Sequence, residues 1–184
     1  MKIICITFLS MSLFQSLHAA QICKDYIPND WKDSRYLLET ISGDHVVTDL
    51  KTGLMWKQCS EGLTGASCSN GSLQSLNWEQ SLHLAQSTSF AGSSNWRVPN
   101  QRELISIIAR NCIEPSLNET IFPMTSQNHY WSSSPVVTLC GAGPGCDEID
   151  NLTWGINLHD GLERALYRES TNNVRLVRSI PQSN

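Results

Sequence analysis

The sequence predicts an α+β domain, two helices packed on a mostly antiparallel sheet and stabilised by disulfides. Three observations lead there. Two capped amphipathic segments fall between Asn77 and Ile108, short β-like segments fill the chain beyond Cys112, and six cysteines remain once the N-terminal segment is set aside as a leader.

That first segment opens with Lys2, runs apolar from Ile3 to Phe14 and ends in Leu17-His18-Ala19-Ala20. A charged start, a greasy middle too short to span a bilayer and a small-residue end predict a signal peptide over residues 1–19. Cys23 lacks the small residue just before it that a lipid-anchored cysteine needs. Residues 20–45 form an N-terminal extension, expected to be irregular because Pro28, Asn29 and Gly43 break any period. The main domain is expected over 46–180.

Within it, Val46-Val47-Thr48 and Leu54-Met55-Trp56 read as a hairpin around the turn Asp49–Gly53. Cys59 to Ser75 is a Gly/Ser-rich loop. Asn77 caps the first helix with Gln80 at its third position, and Trp78, Leu82 and Ala85 form the inward stripe. Asn100 caps the second with Glu103 completing a capping box, ahead of Leu104, Ile107 and Ile108. Strands are then expected at Tyr130–Ser133, Leu152–Leu158, Ala165–Tyr167 and Val174–Val177, with His159-Asp160-Gly161 as a turn.

An even number of cysteines in an exported chain reads as a disulfide framework. Cys59–Cys68 and Cys140–Cys146 each enclose Gly-rich sequence that can fold back, which leaves Cys23–Cys112; spacing alone leaves other connectivities open. Zinc is disfavoured, since there is no C-x2-C pair. With 13 basic against 17 acidic side chains and no basic run, nucleic acid and anionic membrane surfaces are poor partners, and no membrane span is expected after the leader.

Five phrases occur in order: Asp49-x-x-Thr-Gly-Leu-Met-Trp56, Trp96-Arg-Val-Pro-Asn-Gln-Arg-Glu-Leu104, Phe122-Pro123, Tyr130-Trp-Ser-Ser-Ser-Pro135 and Val174-Arg-Leu-Val-Arg178. Together they resemble the Lcl C-terminal domain family, named after a collagen-like surface adhesin. The resemblance implies a C-type-lectin-like fold related to that of formylglycine-generating enzymes, an exported or envelope-associated setting and, for some relatives, adhesion or binding of sulfated glycans. The chain departs from the adhesin in lacking a collagen-type stalk, since Gly141-Ala-Gly-Pro-Gly145 is too short for Gly-X-Y packing.

Catalysis is not expected. There is no G-x-S-x-G elbow and no H-E-x-x-H helix, and His45, His83, His129 and His159 show no recurrent ligand spacing. A formylglycine-generating-type oxidoreductase would need a reactive cysteine pair, which a full disulfide framework removes. The expected role is a non-catalytic binding domain for a glycan or another cell-surface ligand, with a structural or protein-binding envelope component as the alternative.

Lectin-like domains present ligands on their late strands and loops, which places the candidate binding residues at His129, Tyr130, Trp131, Trp154, His159, Asp160, Arg164, Tyr167 and Arg168. Trp56, Trp78 and Trp96 read as framework. Arg175 and Arg178 are expected to be structural, one of them paired with Glu103 or Asp49, whereas Arg164 and Arg168 remain for a ligand. No cofactor is expected. Asp147, Glu148, Asp150 and Asn151 form the one oxygen-rich run that a calcium ion could use, although the lectin-type calcium motifs are absent.

Overall fold

The computed structural model describes residues 21–137 and 151–180. The leader, the expected Cys140–Cys146 bond and Asp147, Glu148 and Asp150 lie outside these residues. In chain order the elements are β1 (Ile22–Cys23), a single 3-10 turn (Asp33–Arg35), β2 (Tyr36–Ile41), β3 (Asp44–Asp49), β4 (Leu54–Lys57), β5 (Leu63–Thr64), β6 (Asn70–Gly71), β7 (Ser75–Leu76), α1 (Trp78–Ser87), α2 (Gln101–Ser106), β8 (Cys112–Ile113), β9 (His129–Pro135), β10 (Leu152–Asn157), β11 (Leu162–Tyr167), β12 (Asn172–Asn173) and β13 (Val177–Ser179).

Two sheets carry the fold, one in the order β11-β10-β9-β12-β7 and one in the order β13-β4-β3-β2. All their pairings are antiparallel except the contact of β12 with β9 at Asn173 and Tyr130. Both helices start as expected. Asn77 Oδ1 accepts from the Gln80 N–H and Asn100 Oδ1 from the Glu103 N–H, each at 2.9 Å, with the reciprocal bonds present. The architecture is therefore α+β, with disulfides at Cys23–Cys112 and Cys59–Cys68.

Side-chain alternation builds two cores. Val47, Trp56, Tyr130, Leu104, Ile107 and Ile156 join one cluster. Their chain neighbours Val46, Met55 and Trp131 join the other, with Ala85, Trp96 and Val98. Successive residues of a strand point to opposite faces, so a buried strand with apolar residues on both faces feeds both clusters.

Two expectations are corrected. The N-terminal extension is irregular only over residues 24–32: beyond it, Ser42 and Gly43, with φ of 54° and 88°, close a hairpin that pairs β2 with β3 along its whole length. The alternation in β2 is weak because Leu37 and Leu38 both stand half-exposed on an edge strand. Residues 174–177 are not one strand either. Val174 O accepts from the Glu61 N–H and Leu176 O from the Lys57 N–H, so this stretch crosses between the sheets before β13 begins.

Arg175 sits inside that crossing, 1% exposed. It pairs with neither Glu103 nor Asp49. Its Nη1 donates to Lys57 O at 3.1 Å and to Gln58 O, its Nη2 to Ser60 Oγ and Thr125 Oγ1 at 3.0 and 2.9 Å, and its plane lies 4.9 Å from the Phe122 ring. Burial pushes its pKa below the usual guanidinium value, and the Tyr130 hydroxyl partly offsets this. The two carboxylates have nearer partners. Glu103 takes a bidentate bond from Arg97 at 2.6 and 2.7 Å, and Asp49 one from Arg35 at 2.8 and 2.5 Å. Arg178 stacks on Trp96 at 5.6 Å.

Burial opposes the Asp49 charge, yet bonds from Arg35, Thr52 and the Lys51 N–H outweigh it and hold this carboxyl below the ordinary range. A depressed folded pKa contributes stability above the unfolded value and loses it as pH falls through the folded one. Acid melts are therefore expected to steepen below about pH 4. Asp49→Asn is expected to flatten that slope and to cost about 3 kcal/mol at neutral pH, by orphaning a buried guanidinium. Thermal melts from acid to neutral pH check both.

Candidate functional site

The β10–β11 hairpin carries most of the residues singled out in the sequence. Its turn depends on Gly161. The residue has φ of 74°, its N–H reaches Asn157 O at 2.7 Å, and a Cβ there would come within 2.7 Å of Ile108 Cγ2. The register pairs Thr153 with Leu166, Trp154 with Ala165, Gly155 with Arg164 and Ile156 with Glu163. Alternation then puts Thr153, Gly155, Asn157, Leu162, Arg164 and Leu166 on one face, and Trp154, Ile156, Glu163, Ala165 and Tyr167 on the other.

Tyr130 and Trp131, expected to touch a ligand, do not reach the surface. Both are fully buried on β9, where their neighbours on each side are themselves covered. Tyr130 Oη shares a 2.6 Å hydrogen bond with Ser60 Oγ, and Trp131 Nε1 donates to Leu76 O at 2.7 Å. These polar tips are satisfied inside the core, the usual arrangement for a buried Tyr or Trp.

The remaining candidates divide between the two ends of the hairpin. At the turn, Arg164 Nη2 lies 3.3 Å from Asp160 Oδ2, and Asp160 Oδ1 accepts from the Leu162 N–H. His129 is half-buried on β9 beside them. Burial lowers its pKa, the Arg164 charge lowers it further and Asp160 opposes both, so the net effect favours the neutral imidazole. His159 Nδ1 is 3.0 Å from Gln127 Oε1 and its Nε2 is 3.8 Å from Glu114 Oε1. The turn is thus a self-paired polar cluster whose charges already have partners.

At the other end, the Arg168 guanidinium stacks on the Trp78 indole at 4.5 Å, while the Trp78 Nε1–H donates to Ser132 O at 2.9 Å. Trp78, Asn77, Glu79, Asn151, Arg168 and Glu169 line a cavity of about 390 Å³. Asn151, the described member of the calcium candidate, spends its amide on Glu169 at 2.6 Å. Asn77 and Glu79 were not singled out for binding in the sequence, because a cap residue and a first-turn carboxylate are explained by the helix alone.

Between the ends the Trp154 face is core at Ile156, which is fully buried, and opens to solvent at Glu163, Ala165 and Tyr167 on the edge strand. Trp154 is half-buried on β10, and directly across from it the edge strand β11 presents Ala165, whose methyl group leaves the indole uncovered on that side. Tyr167, 50% exposed, is the diagonal neighbour on the same face. The backbone beneath is ordered by Ser132 Oγ donating to Trp154 O at 2.6 Å and by Thr153 Oγ1 donating to Ser134 O at 2.6 Å. The sequence marked Trp154 and Tyr167 but not Ala165, whose role follows from register alone.

Among the described residues all four cysteines are disulfide-bonded, no cluster of three metal-ligating side chains occurs, and no helix is long and apolar enough to cross a membrane. A comparison with curated proteins finds no match. The family model described as the Lcl C-terminal domain matches residues 45–178, nearly the whole span from β3 to β13. The chain belongs to the Lcl C-terminal domain family.

Proposed function

We propose that the protein is an exported, non-catalytic binding domain of the C-type-lectin-like kind that recognises an extracellular glycan where Trp154 of β10 meets the exposed edge strand β11. The carrying observation is the juxtaposition of half-buried Trp154 with exposed Ala165 and Tyr167 on one face, with Glu163 beside them as a hydroxyl acceptor. A pyranose offers an apolar C–H face and a rim of hydroxyls, and a half-exposed indole and phenol on rigid strands suit the first while a carboxylate suits the second. Export is supported by the leader-like start and by disulfides, which persist in oxidising compartments.

A glycan array that includes neutral, carboxylated and sulfated sugars, run with and without calcium, tests the reading. Binding is expected without calcium. Trp154→Ala and Tyr167→Ala are each expected to weaken it about tenfold or more while the domain stays folded, as losing one stacked ring costs about 1.4 kcal/mol, with Tyr167→Ala leaving the melting temperature nearly unchanged. Binding that survives both substitutions would move the ligand to another surface. The alternative, a protein-binding envelope component, is favoured by the open edge of β11 and expects no sugar to bind.

A further inference from the structure

Strand β11 ends the five-stranded sheet, and among the described residues nothing pairs with its outer side. The Arg168 N–H bonds Asn151 O, which fixes the phase of the ladder. Residues 162, 164, 166 and 168 turn their backbone groups toward β10, while Glu163, Ala165 and Tyr167 turn theirs outward. Tyr167 O is already taken by the Ser170 N–H, and Glu163 O accepts weakly from Arg164 Nη1 at 3.2 Å. Among the described residues, three outward N–H groups and the carbonyls of Glu163 and Ala165 therefore lack a main-chain partner, as on any edge that can template a further strand.

We infer that this edge pairs with β11 of a second copy of the chain, antiparallel about a two-fold axis at Ala165. Charge and free carbonyls together favour that register: centring the axis on Tyr167 opposes no like charges, but Tyr167 O is already taken by the Ser170 N–H. Centring the axis on Glu163 opposes two carboxylates, and centring it on Arg164 opposes two guanidinium groups. Centring it on Leu166 sets Arg164 against Arg168. Only at Ala165 do small side chains meet on the axis, with Glu163 opposite Tyr167 and Arg164 opposite Leu166, so that no like charges face each other. All outward residues then meet outward residues. The two Ala165 residues exchange N–H···O bonds, and each Tyr167 N–H reaches the free lone pair of Glu163 O.

The two-fold axis runs perpendicular to the sheet, so both copies present the same face. The row Trp154–Ala165–Ala165–Trp154 becomes continuous across four strands about 4.8 Å apart, flanked by both Tyr167 rings. This pairing rests on the edge alone and not on the identity of any ligand. A six-residue edge makes a small interface, so association is expected to be weak and reversible.

Sedimentation equilibrium of the mature protein from about 5 to about 500 μM is expected to show a mass rising from one chain toward two. Ala165→Lys, which sets two ammonium groups across the axis, is expected to weaken association at least about tenfold while the melting temperature holds. Under oxidising conditions Ala165→Cys is expected to form a disulfide-linked dimer and Arg164→Cys is not, because only the first meets its own copy. A single-chain mass at every concentration would overturn the inference and leave the edge to a foreign strand. A dimer indifferent to Ala165→Lys would overturn it as well.

Discussion

Replacing Arg175 with alanine is expected to be the most damaging single change in the domain, costing about 4 kcal/mol. The guanidinium fills the crossing between the two sheets and serves Lys57 O, Gln58 O, Ser60 Oγ and Thr125 Oγ1 at once. Alanine removes a donor from each of these buried acceptors, of which Ser60 Oγ keeps the Tyr130 hydroxyl, and opens a void against Phe122, and each loss carries its own penalty. Against the total stability of an ordinary domain, about 5–15 kcal/mol, that is a large share. The melting temperature is expected to fall by about 10 °C. Arg175→Lys is expected to recover little, since one ammonium cannot span what a planar five-donor fork spans. A drop of only a degree or two would mean that the crossing is held by its backbone bonds to Lys57 and Glu61 alone.

The second large effect is expected at Cys23–Cys112. This bond joins residues 89 apart and staples the paired strands β1 and β8, beside which Gln21 Nε2 donates to Pro115 O and Leu117 O. A cross-link over so long a loop removes much freedom from the unfolded chain, and by the chain-entropy account it contributes about 4 kcal/mol. The Cys23→Ser, Cys112→Ser double variant is expected to melt about 10 °C lower. The Cys59–Cys68 bond spans only 9 residues and is expected to contribute less, about 3 kcal/mol. Thermal melts of the two double variants side by side check the order. Equal losses would point to native-state strain or residual denatured structure rather than loop length.

Elements that rest on local rules were legible in the sequence. Both capping boxes, the β3–β4 hairpin, the Gly161 turn and the Cys59–Cys68 bond follow from residue types at short spacing, and the structure has them where expected; Cys23–Cys112, 89 residues apart, follows only as the remaining pair. The misreadings come from residues whose environment is set by distant chain. Strand β2 carries exposed leucines on an edge, so its pattern does not alternate. Arg175 looked like half of an ion pair because a buried cation usually seeks a carboxylate, but backbone carbonyls from another sheet and two hydroxyls met its needs instead.

The candidate site shows the same division. Aromatic and cationic residues late in the chain could be identified by type, but which of them face water depends on whether their strand is central or peripheral. Tyr130 and Trp131 lie on a central strand and are core; Tyr167 lies on the edge and is not. Arg164 was chosen as a free cation, and it spends its charge on Asp160 in the same turn.

Carbohydrate binding at Trp154, Ala165 and Tyr167 is open to amide and indole chemical-shift mapping during titration with an oligosaccharide drawn from the array. The largest shifts are expected at the Trp154 indole N–H and at the amides of Ala165 and Tyr167, with the Trp78–Arg168 cavity unmoved. Shifts concentrated around Trp78, Arg168 and Asn151, with the Trp154 indole silent, would contradict it.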